Sequence, residues 1–305
     1  MTTAPQFKPA EPRPPARKSR WARTPKAPYL FILPYLLIFL TFWAWPIISS
    51  FMMSFKDSRL GATAPFGLSN WSRLVGDEFF RTALRNTLVI MIVQVPLMLT
   101  LSTLLAVALN SRLLKAAGWF RFAFFAPLVV GTVAYSAVFR LLFNTDFGMV
   151  NRGLTGLGLP AVDWLNQSGP AMTVLILAMT WRWTGYNAII LLAGLQGISE
   201  DVYEAASIDG ATPAQQFWKI TLPLLRPSLL FCLVLSVIGT LQLFTEPALI
   251  TNSGPGNATM TLGTYLYQQG FRSFNFGYAS AIAYTVAAIA AIFSVVQLRL
   301  FGREE

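Results

Sequence analysis

Six apolar runs, each long enough to cross a bilayer, limit what this chain can fold into more than any other feature. They lie at about 29–55, 84–109, 119–143, 171–196, 228–250 and 277–300. A helix needs roughly 20 apolar residues to span the hydrocarbon core, where it satisfies its own backbone groups. Charge points the same way: 12% of the 305 residues are charged and 54% are apolar, whereas soluble domains carry about 25% charged residues. Pro34, Pro46, Pro96 and Pro127 sit inside the runs. Membrane helices tolerate such prolines when neighbours re-satisfy the freed carbonyls. The first run ends in Phe51-Met52-Met53-Ser54-Phe55. It is longer than the 7–15 apolar residues of a signal peptide and has no small-residue cleavage site, so an uncleaved span is expected. The expected fold is therefore an all-α integral membrane protein with six transmembrane helices over 29–300.

The net charge of +10 is unevenly spread. Lys8, Arg13, Arg17, Lys18, Arg20, Arg23 and Lys26 crowd residues 1–28 against a single Glu11. A basic flank before a first span marks the cytoplasmic side, which accounts for the charge better than nucleic-acid binding does. Pro5, Pro9, Pro12, Pro14, Pro15, Pro25 and Pro28 argue for a disordered tail. With the N-terminus inside, Arg112, Lys115, Arg121, Lys219, Arg226, Arg299 and Arg303 also face the cytoplasm. Lys56, Arg59, Arg73, Arg81, Arg85, Arg140, Arg152 and Arg272 face outward. Without the tail the two sides nearly balance, so this orientation rests mainly on it. Both termini, including residues 301–305, are then cytoplasmic, and the outer loops are too short for a large folded domain.

The chemistry that the chain lacks is informative. It has no histidine, one cysteine (Cys232, in an apolar run) and no GxxxxGK[ST] loop. His-based triads, most zinc and haem sites, an intrachain disulfide and this kind of ATP site are excluded. No carboxylate pair converges at membrane depth. An enzyme acting alone is disfavoured, and no metal or cofactor site is expected in the chain.

Between the fourth and fifth runs, residues 197–227 turn polar. Ser199 is placed to cap a helix, with Glu200 and Asp201 in its first turn, where the dipole favours anions. Val202, Ala205, Ala206 and Ile208 form a weak apolar stripe, and Gly210 stops the helix. Thr212, Pro213 and Gln215 spell the start of a second helix with a capping box. Phe217, Trp218 and Ile220 give it an apolar face before Pro223 and Pro227 bend the chain. The segment reads as a helix–turn–helix elbow on the cytoplasmic side. Physics alone also allows an amphipathic elbow lying on the membrane surface.

Its spacing identifies a resemblance. Glu204-Ala205-Ala206-Ser207-Ile208-Asp209-Gly210 is followed, nine residues on, by Ile220-Thr221-Leu222-Pro223. This is similar to the EAA loop of permease subunits in binding-protein-dependent ABC importers. Gly194-Leu195, the stretch Leu249 to Asn257, and Phe276 to Ala283 resemble the carbohydrate branch, which includes the maltose and glycerol-3-phosphate permeases. The likeness covers about 29–300, although the extra N-terminal spans and large external loop of the maltose subunit are missing. It implies a coupling helix seated in a cleft of an ATPase subunit, with Glu204, Ala205, Ala206, Asp209, Gly210, Leu222 and Pro223 carrying the contact. It further implies a second homologous six-span permease, two subunits that bind ATP and magnesium, and an extracytoplasmic solute-binding protein. The location implied is the bacterial cytoplasmic membrane, and the solute implied is a sugar.

A sugar site needs aromatic faces and hydrogen-bonding groups in a mostly apolar cavity. The fourth run offers Trp181, Arg182, Trp183, Thr184, Tyr186 and Asn187; the fifth offers Ser236, Thr240, Gln242, Thr245 and Glu246. Helical spacing puts Ser236 and Thr240 on one face, continued by Leu243. Each of these residues also suits helix–helix packing. The resemblance aligns Tyr186 and Ser236 with a matching tyrosine and serine of the maltose permease's sugar site. At Trp183, Gly239, Thr240 and Leu243 this chain departs from that site, which puts maltose itself in doubt. The pathway residues expected are thus Tyr186, Ser236, Thr240, Trp183, Asn187, Leu243, Gly239 and Glu246. Arg182 and Glu246 are ionisable groups within spans, and each suits a helix-end partner as well as a substrate contact. The rival reading is an ion-coupled transporter acting without an ATPase, for which Glu246 is the one candidate carboxylate.

Overall fold

The computed structural model describes residues 27–57, 65–111 and 114–301. Residues 1–26 of the expected tail and 302–305 of the C-terminus lie outside the described residues. Among the described residues there is no strand, only an isolated bridge between Lys56 and Phe66. The chain divides into two units, Met1–Ser49 and Ser50–Glu305.

The first unit contains helix α1 (Ala27–Phe39), a π-helical turn (Leu40–Ala44) and the start of α2 (Trp45–Ser54). Pro34 sits within α1. The second unit continues with α3 (Ser69–Gly76), α4 (Glu78–Asn110), α5 (Ala117–Val129), α6 (Thr132–Leu142), α7 (Met149–Gly156) and α8 (Ser168–Gln196). Two short helices follow, α9 (Glu200–Ile208) and α10 (Pro213–Gln216), then a π turn and the single turn α11 (Leu222–Leu224). After them come α12 (Arg226–Leu241), α13 (Thr245–Ile250), α14 (Leu262–Tyr267), a third π turn and α15 (Phe276–Phe301).

Among the described residues, four helices are long and apolar enough to cross a membrane: Tyr29–Ser54, α4, α8 and Phe276–Leu300. Two bent pairs each make one more if counted as a single broken span. The third run is one of these pairs. A continuous helix was expected over 119–143, but α5 and α6 meet at 95° around Val130–Gly131. The carbonyls freed at that break are taken up by Arg182, as described below. The fifth run differs as well. A single helix was expected over 228–250, but α12 ends at Leu241 and α13 starts again at Thr245. The break holds because the Thr261 hydroxyl donates to the Leu243 carbonyl at 2.5 Å. A side chain at Gly263 would strike that same carbonyl. At its other end α12 meets the 213–224 segment at a 63° bend, where Pro223 and Pro227 stand.

α4 and α8 pack along one another and form the centre of the second unit. The buried face of α4 runs through Ala83, Thr87, Ile90, Gln94, Met98, Ser102, Ala106 and Leu109, the three-and-four spacing of a single stripe. Ser102 Oγ lies 2.7 Å from the Met98 carbonyl and 2.9 Å from that of Thr184, tying the two helices together. α12 lies against α4, α8 and α15.

Candidate functional site

α4, α8, α12 and the break before α13 enclose a cavity of about 220 Å³. All eight residues singled out from sequence line it: Trp183, Tyr186, Asn187, Ser236, Gly239, Thr240, Leu243 and Glu246. Leu243 reaches it from the non-helical break rather than from a continued helix face. Trp183 and Tyr186 meet edge to face, with centroids 5.9 Å apart. Gln242 and Thr245, also offered by the fifth run, line it as well, and sequence reasoning missed Gln94, Met98, Met179, Leu235 and Phe244, which complete the wall. A signal for two of them was present, since Gln94 and Met98 continue the α4 stripe from Ile90 in steps of four.

Several polar groups in the wall already have partners. Asn187 Nδ2 donates to the Trp183 carbonyl at 3.0 Å and to Met98 Sδ at 3.4 Å. Thr240 donates to the Ser236 carbonyl at 2.8 Å. Glu246 is 6% exposed and accepts a hydrogen bond from the Tyr135 hydroxyl at 2.8 Å. Gln94 differs: it is 2% exposed and its Nε2 has no hydrogen-bond partner among the described residues.

Arg182 does not line this cavity. Its Nη1 donates to the carbonyls of Val130 at 2.8 Å and Pro127 at 3.3 Å, and its Nη2 donates to Thr132 Oγ1 at 3.2 Å. The guanidinium also lies over the Tyr135 ring, 4.5 Å from its centroid. It therefore caps the C-terminus of α5, where orphan carbonyls and the helix dipole favour a cation. Of the two interpretations open from sequence, the geometry fits the helix-end partner. Among the described residues, no cluster of three or more His, Cys, Asp or Glu is placed to hold a metal.

A second constellation ties the N-terminus of α4 to α14 and α15. Asp77 caps α4 by accepting from Phe79 N at 2.9 Å and Phe80 N at 3.3 Å. It also accepts from the hydroxyls of Tyr265 and Tyr278. Burial pushes the Asp77 carboxyl up, but those hydroxyls and the two amides outweigh it and hold the carboxyl below its ordinary value. Burial, then the neighbouring Asp77, pushes the Tyr265 hydroxyl well above the usual phenol range.

The 197–227 segment is built as its local chemistry dictates. Ser199 Oγ accepts from Asp201 N at 3.3 Å to start α9. Gly210, at φ +80°, ends that helix in a Schellman pair: Ala211 N to Ala206 O at 2.9 Å, and Gly210 N to Ser207 O at 3.1 Å. Thr212 and Gln215 form the capping box of α10. Tyr203 and Thr221 hydroxyls, 3.1 Å apart, join the two halves. Glu204, Ala205, Asp209 and Gly210 are exposed; Ala206, Leu222 and Pro223 are half-buried. Ile208 is 86% exposed at the tip, and Trp218 is 65% exposed.

A family model described as the binding-protein-dependent transport system inner membrane component matches residues 155–303. Over 284 residues, the chain is 39% identical to the arabinooligosaccharides transport system permease protein AraP of Bacillus subtilis (strain 168). That alignment covers 90% of this chain and 88% of AraP. The chain belongs to this family.

The permease is also 40% identical to the lactose transport system permease protein LacF of Rhizobium radiobacter, over 88% of this chain and 92% of LacF. Its fold matches a solved bacterial ABC transporter involved in the import of the acidic polysaccharide alginate. That match has a TM-score of 0.79 at 24% identity and covers 90% of this chain and 94% of the other. As a member of this family the permease is a non-catalytic membrane component that works with a binding protein and a separate ATPase, and ATP hydrolysis belongs to that ATPase. The ion-coupled rival is thereby set aside. The matched stretch takes in α8 to α15, and so contains both the 197–227 segment and most of the cavity wall.

Proposed function

We propose that the permease moves a neutral sugar across the bacterial cytoplasmic membrane by alternating access, with the cavity between α4, α8 and α12 as its path. One observation carries this: two adjacent aromatic rings, hydroxyls and amides share one cavity, and no Lys or Arg lines it. Aromatic faces pack against sugar rings, and sparse polar groups fix orientation. Glu246 gives the wall a carboxyl rather than a cation, which disfavours uronates and phosphates. Close relatives named for arabinooligosaccharides and lactose support a sugar.

The cavity of about 220 Å³ is smaller than the roughly 300–1,000 Å³ usual for ligand pockets. A second homologous permease facing this wall would complete it, and we expect a heterodimer. The largely exposed 204–210 surface, stiffened by the Schellman turn and the Tyr203–Thr221 contact, would seat in a cleft of an ATPase subunit. Two such subunits would hold ATP and magnesium, and their closure would swing α8 and α12 through the elbow. The 197–227 segment and both termini would then be cytoplasmic, and an extracytoplasmic binding protein would deliver the sugar.

The test is ATP-driven uptake by the complete complex in proteoliposomes, with binding protein, across lactose, maltose, arabino-oligosaccharides and their uronic-acid counterparts. A neutral sugar should be taken up and the acidic ones refused. Glu204→Lys and Gly210→Pro should each lower uptake at least about tenfold in a complex that still assembles, within the usual range of coupling energies. Uptake left intact by both variants would remove the coupling role; uptake of uronates alone would remove the neutral-sugar reading.

A further inference from the structure

We infer that Tyr135 is a positioning residue of the sugar path: it holds one oxygen of the Glu246 carboxylate so that the other accepts a hydrogen bond from a hydroxyl of the sugar in transit. This inference rests on the cavity being that path. Glu246 lies in the first turn of α13, just past the break that ends α12, and it lines the cavity. Its Oε1 accepts from the Tyr135 hydroxyl at 2.8 Å. Its Oε2 has no hydrogen-bond partner among the described residues, yet it stays accessible. Tyr135 is not part of the cavity wall. It is 2% exposed on α6, with the Arg182 guanidinium over its ring and the rings of Phe139 and Trp181 beside it.

A carboxylate at membrane depth is costly unless it is partnered. Tyr135 is that partner. Arg182, fixed by the carbonyls of Pro127 and Val130, sets a positive charge behind the tyrosine ring. The three side chains join α8, α6 and α13 in one line that ends at the cavity. A free glutamate side chain loses rotamer freedom when it meets a ligand, and tethering one oxygen removes that loss in advance. The remaining oxygen offers a neutral sugar its strongest kind of contact, a hydroxyl donating to a charged acceptor. Neighbouring wall groups are less free: Asn187 Nδ2 donates to Trp183 and Met98, and the Thr240 hydroxyl donates to Ser236. A site that orients a buried acceptor in this way discriminates strongly against an analogue lacking the hydroxyl.

The test uses the full complex in nanodiscs and measures equilibrium retention of tritiated lactose, maltose or arabino-oligosaccharide, whichever the wild type holds, and of its monodeoxy analogues. The wild type should hold one analogue, the one lacking the contacting hydroxyl, more weakly than the parent sugar. Tyr135→Phe, which removes only the hydroxyl, should raise the half-occupancy concentration of the parent about tenfold and narrow its advantage over that analogue. Glu246→Gln, which turns the free oxygen into a donor, should weaken binding as much, and adding Tyr135→Phe to it should cost nothing further. Tyr186→Ala is the reference for the cavity itself. If Tyr186→Ala weakens binding but Tyr135→Phe or Glu246→Gln does not, this inference falls while the cavity reading stands. Additive losses in the double variant, or a Tyr135→Phe loss equal for the parent and every analogue, would make Tyr135 structural and remove the positioning role. Equal retention of all analogues by the wild type overturns the inference even where a variant fails to assemble. If none of the three variants weakens binding, or the wild type retains no sugar, both readings fall.

Discussion

Gly185 lies where α8 comes close to the backbone of α5. A Cβ built there would overlap the carbonyl of Phe124, a main-chain atom that cannot rotate aside. Gly185→Ala should therefore push the two helices apart and destabilise the permease by about 2 kcal/mol, as overpacking does, and this is readable as a lower melting temperature in detergent. A variant that melts like the wild type would show that α5 yields freely. Arg182 lies one turn away and depends on the same closeness, because its guanidinium reaches back to Pro127 and Val130. Asp77 gives a prediction of a different kind. Its carboxyl is held below the ordinary 3.8, so its contribution is complete above that pH and is lost as pH falls through the folded value. The melting temperature of the wild type should fall more steeply below pH 3.8 than that of Asp77→Asn, which does not titrate. Parallel slopes would mean that the tyrosine hydroxyls do not depend on the charge.

Helix ends separate what the sequence reveals from what it hides. Ser199, Gly210, Thr212 and Gln215 act within a few residues of themselves, and the structure places their caps where the spelling puts them. The two unforeseen breaks have distant causes. α5 stops where a side chain from α8 supplies donors to its carbonyls. α12 stops where the hydroxyl of Thr261, 18 residues on, takes the Leu243 carbonyl. Hydropathy registers neither: the third run stays apolar through Val130 and Gly131, and Gln242, Thr245 and Glu246 at the fifth break read equally well as the polar lining of a continuous helix. Most candidate cavity residues on α8 and α12 were legible because aromatic, amide and hydroxyl groups are conspicuous in an apolar span, whereas Gly239 came only from the resemblance to the maltose permease. Gln94 was passed over on α4 because a single amide in a long apolar helix reads as packing until its neighbours in space are known. The α12 break also makes a prediction. Thr261 is fully buried, donates to Leu243 O and accepts from Thr264 N to start α14. Thr261→Val should leave that carbonyl without a partner and cost roughly 1–3 kcal/mol, whereas Thr261→Ser should restore most of it. Equal melting temperatures for valine and serine would show that the hydroxyl does not hold the break open.

Orientation involves every span together, and it can be argued from charge alone. The positive-inside rule counts Lys and Arg in short flanks near the spans. Apart from the tail, Arg112, Lys115, Arg121, Lys219, Arg226, Arg299 and Arg303 on the proposed inner side face Lys56, Arg59, Arg73, Arg81, Arg85, Arg140, Arg152 and Arg272 on the outer. Those two sets nearly cancel. Arg182 belongs to neither, since it is buried against α5. The bias must then come from Lys8, Arg13, Arg17, Lys18, Arg20, Arg23 and Lys26. The proposed coupling depends on this bias, because an inverted permease would present Glu204 and Gly210 to the side without ATP. Replacing the seven tail residues with glutamine should yield a mixed population. Paired C-terminal fusions report it: alkaline phosphatase is active only outside the cytoplasm, and a fluorescent protein matures only within it. Phosphatase activity should rise and fluorescence fall in the neutralised chain, with ATP-driven uptake falling in the same proportion. Fusions that read as wild type would place the orienting signal in the spans themselves, and the tail would then be dispensable for orientation.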